Sequence, residues 1–272
     1  MPDMRIRRAA PADLPVLTRL WQAAFDDPPE LIERFYRRFP PEMAAWVVEA
    51  GGCVVTAAHL LEGRLHTADG NVLSCAYVYA VSTDPAHQGN GYASALMRRF
   101  AMDADASGCV LYTLPVEATL YKWYQAVMGT TQTARGERMR ITRQQTDGAL
   151  PSVTRISAPE YAVLRAQLLQ GRAYAEPSAT LLDFQADLCS MSGGALVRVG
   201  SGCAVAEREG DALIIKELLG ADTTSAAQAL LAAFDAQAAQ VCLQRQDGAQ
   251  PMAAYRPFCR DTADIFWGLY LD

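Results

Sequence analysis

The stretch AYVYAVSTDPAHQGNGYASALMRRF, residues 76–100, carries three signals in succession. Tyr77–Thr83 is β-branched and aromatic and reads as a buried strand. Asp84-Pro85 breaks it. Gln88-Gly89-Asn90-Gly91-Tyr92-Ala93 is a glycine-spaced turn that opens an apolar helix, with Ala95, Leu96, Arg99 and Phe100 at helical spacing. Strand, glycine turn and helix in this order make an anion site. Glycine admits close backbone approach, and the first N–H groups of a helix are unpaired and point at the ligand.

The surrounding chain has 272 residues, 51% apolar and 20% charged, enough for one large or two ordinary domains with full cores. No apolar run reaches the ~20 residues of a membrane span. The N-terminal MPDMRIRRAAPADLP lacks the apolar centre of a signal peptide, so a cytoplasmic protein is expected. The seven cysteines form no C-x-x-C pair. Neither a disulfide framework nor a metal site is expected, and Cys53, Cys75, Cys109, Cys203 and Cys242, all in apolar runs, read as small buried hydrophobes. A net charge of −6 argues against nucleic acid as a partner. Residues 1–148 carry 15 basic and 16 acidic side chains, and residues 149–272 carry 9 and 14. The acidic second half suits a cationic substrate or a solvated surface.

Taken in order, Arg5–Arg8 is a short strand, and Pro11-Ala12-Asp13 opens a helix with Leu14, Leu17, Leu20, Trp21, Ala24 and Phe25 on one face. Leu31–Phe39 is a second helix. Trp46–Glu49 and Cys53–Leu61 are strands joined at Gly51-Gly52, and Arg64–Thr67 extends the latter. Val72–Thr83 is a long strand, and the glycine turn leads into a helix from Tyr92 to about Ala106. Val110–Leu114 is a strand, Glu117–Val127 a helix, and Thr131–Ala134 with Glu137–Thr142 a hairpin about Arg135-Gly136. A second pass of similar order follows: a strand at Val153–Ile156, helices at Pro159–Gln170 and Ala179–Ser190, and strands at Ala195–Val199, Cys203–Arg208 and Ala212–Leu219. Then come a helix at Thr224–Ala239 and strands at Val241–Gln244 and Ile265–Leu271. Gly52-Cys53 and Gly202-Cys203 lie 150 positions apart within similar strand pairs, as do Arg5-Ile6 and Arg155-Ile156, which points to a duplicated α/β unit.

The glycine turn is neither a dinucleotide fingerprint nor a P-loop, because G-x-G-x-x-G and Gly-Lys-Ser/Thr are both missing. With its approach, Val81-Ser82-Thr83-Asp84-Pro85-Ala86-His87, it resembles the acyl-CoA loop of the GNAT acetyltransferase superfamily, Gln/Arg-x-x-Gly-x-Gly/Ala. A second segment, from Pro115 to Gly129, is similar to the family's Asn-x-x-x-x-x-x-Tyr-x-x-x-Gly-Phe. The resemblance implies a GNAT fold, α/β (α+β) with a mixed, mostly antiparallel sheet flanked by helices. It implies acetyl-CoA as co-substrate, with the pantetheine arm along Val81, Ser82 and Thr83, the pyrophosphate on backbone N–H groups from Gln88 through Gly89, Asn90, Gly91 and Tyr92 to Ala93 and Ser94, and Glu117 at a CoA-contacting position. It also implies a general acid at Tyr124, with Tyr121, one turn earlier, as the competing candidate. Two departures stand out: Glu117 replaces the usual Asn, and Met128-Gly129-Thr130 replaces the usual Gly-Phe.

No general base stands out: His59, Glu62, the carboxylate of the terminal Asp272 and water are the candidates. His59 reads more readily as a packed histidine, and His87 as an exposed one beside the loop. The second half resembles the family in layout only. Its counterpart of the loop, Leu219-Gly220-Ala221-Asp222-Thr223-Thr224-Ser225, lacks the glycine pattern, and Thr223 or Thr224 reads as an ordinary N-cap. The resemblance therefore implies a tandem protein with an acetyl-CoA-binding domain at 1–148 and a degenerate one at 149–272 that shapes the acceptor pocket or an oligomer interface, a homodimer among the options. The implied reaction moves an acetyl group to a primary amine of a small molecule or peptide. A non-catalytic acyl-CoA sensor and a transferase that uses aminoacyl-tRNA are the alternatives; the acidic charge and the intact loop argue against the latter.

Overall fold

The computed structural model describes residues 4–115, 117–145, 148–245, 247–248, 250–256 and 265–268. In chain order the elements are β1 (Met4–Arg8), α1 (Leu14–Phe25), α2 (Pro29–Arg38), α3 (Pro41–Ala44), β2 (Ala45–Ala50), β3 (Cys53–His66), β4 (Val72–Thr83), α4 (Tyr92–Ser107), β5 (Val110–Thr113), α5 (Ala118–Met128) and β6 (Gln132–Thr142). They continue with β7 (Val153–Arg155), α6 (Ala158–Leu168), β8 (Tyr174–Pro177), α7 (Ala179–Ser192), β9 (Ala195–Val199), β10 (Gly202–Glu209), β11 (Ala212–Leu219), α8 (Thr223–Ala233), β12 (Ala238–Gln244) and β13 (Gln250–Arg256). Two units share these elements. The first comprises residues 1–65, 72–133 and 253–263, and the second residues 66–71, 134–252 and 264–272.

In the first unit the sheet runs β1-β2-β3-β4-β5 and then residues 254–256 of β13. Arg7 on β1 holds Asp13 at 2.6 Å and Glu49 on β2 at 3.0 Å, tying the first strand to the chain around it. Leu17, Leu20 and Trp21, spaced as one helix face, bury against the sheet, with Phe35 and Tyr36 of α2 beside them. On the opposite face Leu96, Met97 and Phe100 of α4 and Tyr124 and Val127 of α5 pack with Val48, Ala58 and Val78. The first unit is therefore a sheet with apolar helices on both faces, and its central β4 and β5 run parallel because α4 carries the chain back between them.

The second unit repeats the order, with the sheet β6-β12-β11-β10-β9-β7. Its neighbours are antiparallel except β11 and β12, the pair joined through α8. Leu230 and Leu231 of α8 pack on Val197, Ala204, Leu213 and Ile215, while α6 and α7 cover Cys203 and Val205 on the other face. Within that second layer Arg165 is buried against Glu217 at 2.9 Å, and Glu217 also accepts from the Tyr161 hydroxyl.

Four expectations change. Residues 132–142 form one strand rather than a hairpin about Arg135-Gly136. Gly136 sits inside the ladder because a Cβ there would lie 1.7 Å from Met252 Sδ and 2.4 Å from the Leu243 carbonyl, so its glycine answers a close approach and not a turn. The alanine-rich run from Thr223 is helical only to Ala233, and Ala238–Gln244 is a strand: alanine serves both when tertiary packing decides. Cys53 is exposed at the hairpin, whereas Cys75 and Cys203 are buried and Cys109 and Cys242 partly so. Of the expected strand Ile265–Leu271, residues 265–268 carry a single parallel bridge, Phe266 to Tyr174, and the remainder, with Asp272, lies outside the described residues. Among the described residues no helix is long and apolar enough to cross a membrane.

Candidate active site

Strands β4 and β5 pair over three positions only, Cys75 with Val110, Ala76 with Leu111 and Tyr77 with Tyr112. Beyond them the strands part. The Thr113 hydroxyl donates to the Val78 carbonyl at 3.1 Å and replaces the backbone bond lost there. Two residues on, Ala80 takes φ +46°, a left-handed conformation that costs an alanine about 1–2 kcal/mol. This bend leaves Val81, Ser82 and Thr83 as one wall of a groove of about 520 Å³.

The rest of the groove comes from His87, Gln88, Gly89 and Gly91 of the loop, Tyr92, Ala93 and Ser94 of the first turn of α4, Trp123 of α5, and Ala23 and Ala24 of α1. Gly91 caps α4 at φ +78° and offers no side-chain acceptor. The first bond of the helix runs from the Ala95 N–H to the Gly91 carbonyl at 2.9 Å, so the amides of Tyr92, Ala93 and Ser94 precede the ladder. The loop's polar side chains serve its own shape. Gln88 Nε2 donates to the Thr83 carbonyl at 3.3 Å, and Asn90 Nδ2 donates to the His87 carbonyl at 3.0 Å. A Cβ at Gly89 or Gly91 would meet nothing within 4 Å; the positive φ is what requires glycine.

The other sequence-derived candidates are more scattered. Tyr124 is 6% exposed and packs with Val78 and Tyr92. Burial holds its phenol above the usual 10, with the neighbouring Thr113 hydroxyl acting in the opposite sense. Tyr124 thus sits where β4 and β5 part, protonated, next in sequence to groove-lining Trp123 but not itself among the groove-lining residues. Burial also pushes Tyr121 up to about 12. Glu117 is exposed at the start of α5, where it accepts from Thr119 Oγ1 at 3.3 Å, and it is not among the groove-lining residues. His59 is enclosed by Trp21, Phe35 and Tyr36, with Nε2 3.0 Å from the Tyr36 hydroxyl and Nδ1 3.3 Å from the Tyr79 carbonyl. Burial drives its pKa down to about 4, so the ring is neutral near pH 7. Glu62 is exposed on β3 and acts on Cys109, whose thiol burial pushes up to about 11. Sequence reasoning did not single out Thr113, Ala80 or Trp123; Thr113 shows in the sequence only as a hydroxyl at the end of an apolar strand.

In the second unit the helix that corresponds to α4 begins differently. Asp222, not Thr223 or Thr224, is the N-cap of α8, and its Oδ1 accepts from the Ser225 N–H at 2.9 Å. The cap lowers the Asp222 pKa. A carboxylate of this chain fills the position that an anion would take.

Residues 5–126 match the family model of an acetyltransferase (GNAT) domain. This part of the chain resembles a GNAT domain. Solved structures of the same fold include a GCN5-related N-acetyltransferase from Anabaena variabilis, with a TM-score of 0.70 at 13% identity over 94% of this chain and 71% of the other. A GCN5-related N-acetyltransferase from Kribbella flavida gives 0.67 at 16% identity, over 93% and 70%. A tandem GNAT protein from the clavulanic acid biosynthesis pathway gives 0.55 at 13%, over 93% and 97%. At these identities the likeness is one of fold, a GNAT sheet with flanking helices laid out in tandem. No curated protein matches the chain in sequence.

Proposed function

We propose that the GNAT domain takes acetyl-CoA and passes its acetyl group to a primary amine of a small molecule or peptide. The observation that carries this reading is the uncapped start of α4, open to a groove whose far wall is the bent end of β4. A pyrophosphate fits there on backbone N–H groups from Gln88 to Ser94, and it needs no lysine or arginine. The pantetheine arm follows Val81–Thr83 as an added strand would. That path leads toward the parting of β4 and β5, where Tyr124 stands.

The amine nitrogen attacks the thioester carbonyl carbon, the C–S bond breaks, and the departing thiolate takes the Tyr124 phenolic proton. A phenol held above its usual pKa remains protonated until that moment and is matched to a thiolate leaving group. The substrate ammonium gives one proton to water before its nitrogen attacks, and a second, shed as the amide forms, returns through water to the Tyr124 phenolate; His59 has both ring nitrogens engaged and Glu62 is exposed on β3. Tyr124, not Tyr121, is assigned the acid role, and Glu117 contacts CoA only beyond the groove rim. The second unit binds no CoA, because Asp222 occupies its helix start.

The test is thiol release from acetyl-CoA across a panel of primary amines, alongside CoA titration of the wild type and Gly91→Asp. Amine-dependent release is expected. Loss of CoA binding in Gly91→Asp is expected too, from backbone strain and a carboxylate in the anion's place. Binding without release for any amine would favour the acyl-CoA sensor, and retained binding by Gly91→Asp would refute the loop assignment.

A further inference from the structure

In the second unit the parallel strands β11 and β12 pair from Ala212 with Ala238 to Ile215 with Val241, and then part. Residues 265–268 run beside the parting and are held on both edges. The Phe266 N–H donates to the Ala173 carbonyl at 2.9 Å, and the Ala175 N–H donates to the Phe266 carbonyl at 2.8 Å. From the other side Gln244 Nε2 donates to the Ile265 carbonyl at 2.6 Å, and Gln244 Oε1 accepts from the Trp267 N–H at 2.8 Å. So fixed, Phe266 and Gly268 form one wall of a cavity of about 120 Å³, with Leu218, Leu219 and Leu243 as its apolar part. Gly268 has φ +49°, and a Cβ there would lie 1.9 Å from Glu217 Oε2, so the wall admits no side chain at that point.

The charges around this cavity do not cancel. Lys216, which lines it, is set against Glu207 at 3.2 Å. Glu217 lines it too, but both its oxygens are engaged: Oε1 accepts from Arg165 Nε at 2.9 Å and from the Tyr161 hydroxyl, and Oε2 accepts from Arg165 Nη2 at 3.2 Å. Arg172, also in the wall, has no carboxylate partner among the described residues; its guanidinium lies over the Phe266 ring at 5.6 Å. A guanidinium stacked on a ring keeps its N–H edge for in-plane acceptors, and the two parallel donors of that edge match a carboxylate. We propose that this cavity binds a short-chain carboxylate. Arg172 takes the carboxylate as a fork, Lys216 adds a second positive charge, and the leucines receive the chain. A dry cavity of about 150 Å³ takes a benzene ring, so this one takes about five or six non-hydrogen atoms, too few for pantetheine or a nucleotide. The site lies wholly in the second unit and does not depend on the CoA reading of the first. It also gives an acidic half of the chain a local excess of positive charge with a use.

The experiment is a titration of the full chain with carboxyl-labelled butyrate, followed by ligand NMR, with butyramide as the uncharged molecule of the same shape. Wild-type protein, Arg172→Gln and Arg172→Lys are compared. One butyrate per chain is expected, with a Kd below about 10 mM. Loss of hydrogen bonds to a charged group predicts at least about tenfold weaker binding for Arg172→Gln, and a similar deficit for butyramide on the wild type. Arg172→Lys keeps the charge and loses the fork, so it should fall between wild type and Arg172→Gln. Arg172 is exposed in the turn after α6 and carries no ion pair among the described residues, so its glutamine variant keeps the fold. Saturating CoA should leave butyrate bound. No saturation by about 10 mM, Arg172→Gln within twofold of wild type, or butyramide equal to butyrate would each overturn the proposal. Displacement of butyrate by CoA would place it in the groove of the first unit and overturn it as well.

Discussion

Thr113 donates its hydroxyl to the Val78 carbonyl at 3.1 Å, one residue past Tyr77 and Tyr112, the last parallel pair of β4 and β5. A side chain there does what a backbone amide does elsewhere in the sheet. The strands can part without leaving a buried carbonyl unpaired, which would cost more than the bond itself is worth. Thr113 is 2% exposed, so water cannot take its place. Thr113→Val keeps the shape and removes the hydroxyl. We expect a loss of about 1–3 kcal/mol in urea unfolding, together with slower acetyl transfer, because the Tyr124 phenol loses its neighbour.

Tyr124→Phe separates chemistry from binding. Removing a general acid typically lowers turnover by about 10²–10⁴. The ring and its packing on Val78 and Tyr92 remain, so CoA affinity should stay within about twofold of wild type. Steady-state thiol release with parallel titration of CoA reads both. Turnover that survives the change would remove Tyr124 from the reaction.

His59 gives the fold a pH dependence with a defined sign. Its pKa is about 4 in the folded chain and 6.5 when solvated, so the unfolded chain binds the extra proton in between. Its contribution is whole above pH 6.5 and is lost as pH falls toward 4. Denaturant unfolding should lose about 2 kcal/mol from pH 7 to pH 5. His59→Gln, with no proton to take up, should be nearly flat over that range, although less stable at pH 7. Asp13 and Glu49, both held low by Arg7, lose their contributions only at more acid pH, below their ordinary 3.8 and 4.5. A wild-type profile level between pH 7 and 5 would contradict the caged, neutral imidazole.

Asp222 predicts a stoichiometry. Its carboxylate holds the Ser225 N–H at the start of α8, whereas Gly91 leaves the start of α4 open. CoA titration should therefore saturate at one per chain, and Asp222→Ala should lower stability by about 1 kcal/mol without adding a second site. Two equivalents bound by the wild type would show that the second unit has a CoA site of its own.

Much of the site is written locally. Glycine at 89 and 91, proline at 85 and the apolar spacing of α4 specify strand, turn and helix through φ angles and side-chain periodicity. These are properties of a few adjacent residues, and they read directly. The same holds for the strand pairs around Gly52-Cys53 and Gly202-Cys203 that mark the repeat. Gly136 misleads for the converse reason: its need for glycine comes from Met252 and Leu243, far away in the chain. The alanine-rich run after Thr223 misleads because alanine states no preference strong enough to resist packing.

The sequence by itself determined the order of elements, the glycine turn and the GNAT resemblance, all of which follow from local conformation and pattern. Tertiary structure alone decided where β4 and β5 part, that Ala80 bends the strand, that Thr113 meets Val78 and Tyr124, that Trp123 meets Ser94, and that residues 254–256 return to the first sheet. Each of these joins residues distant in sequence or spends local strain against packing elsewhere. Neither leaves a periodic or compositional trace in the chain.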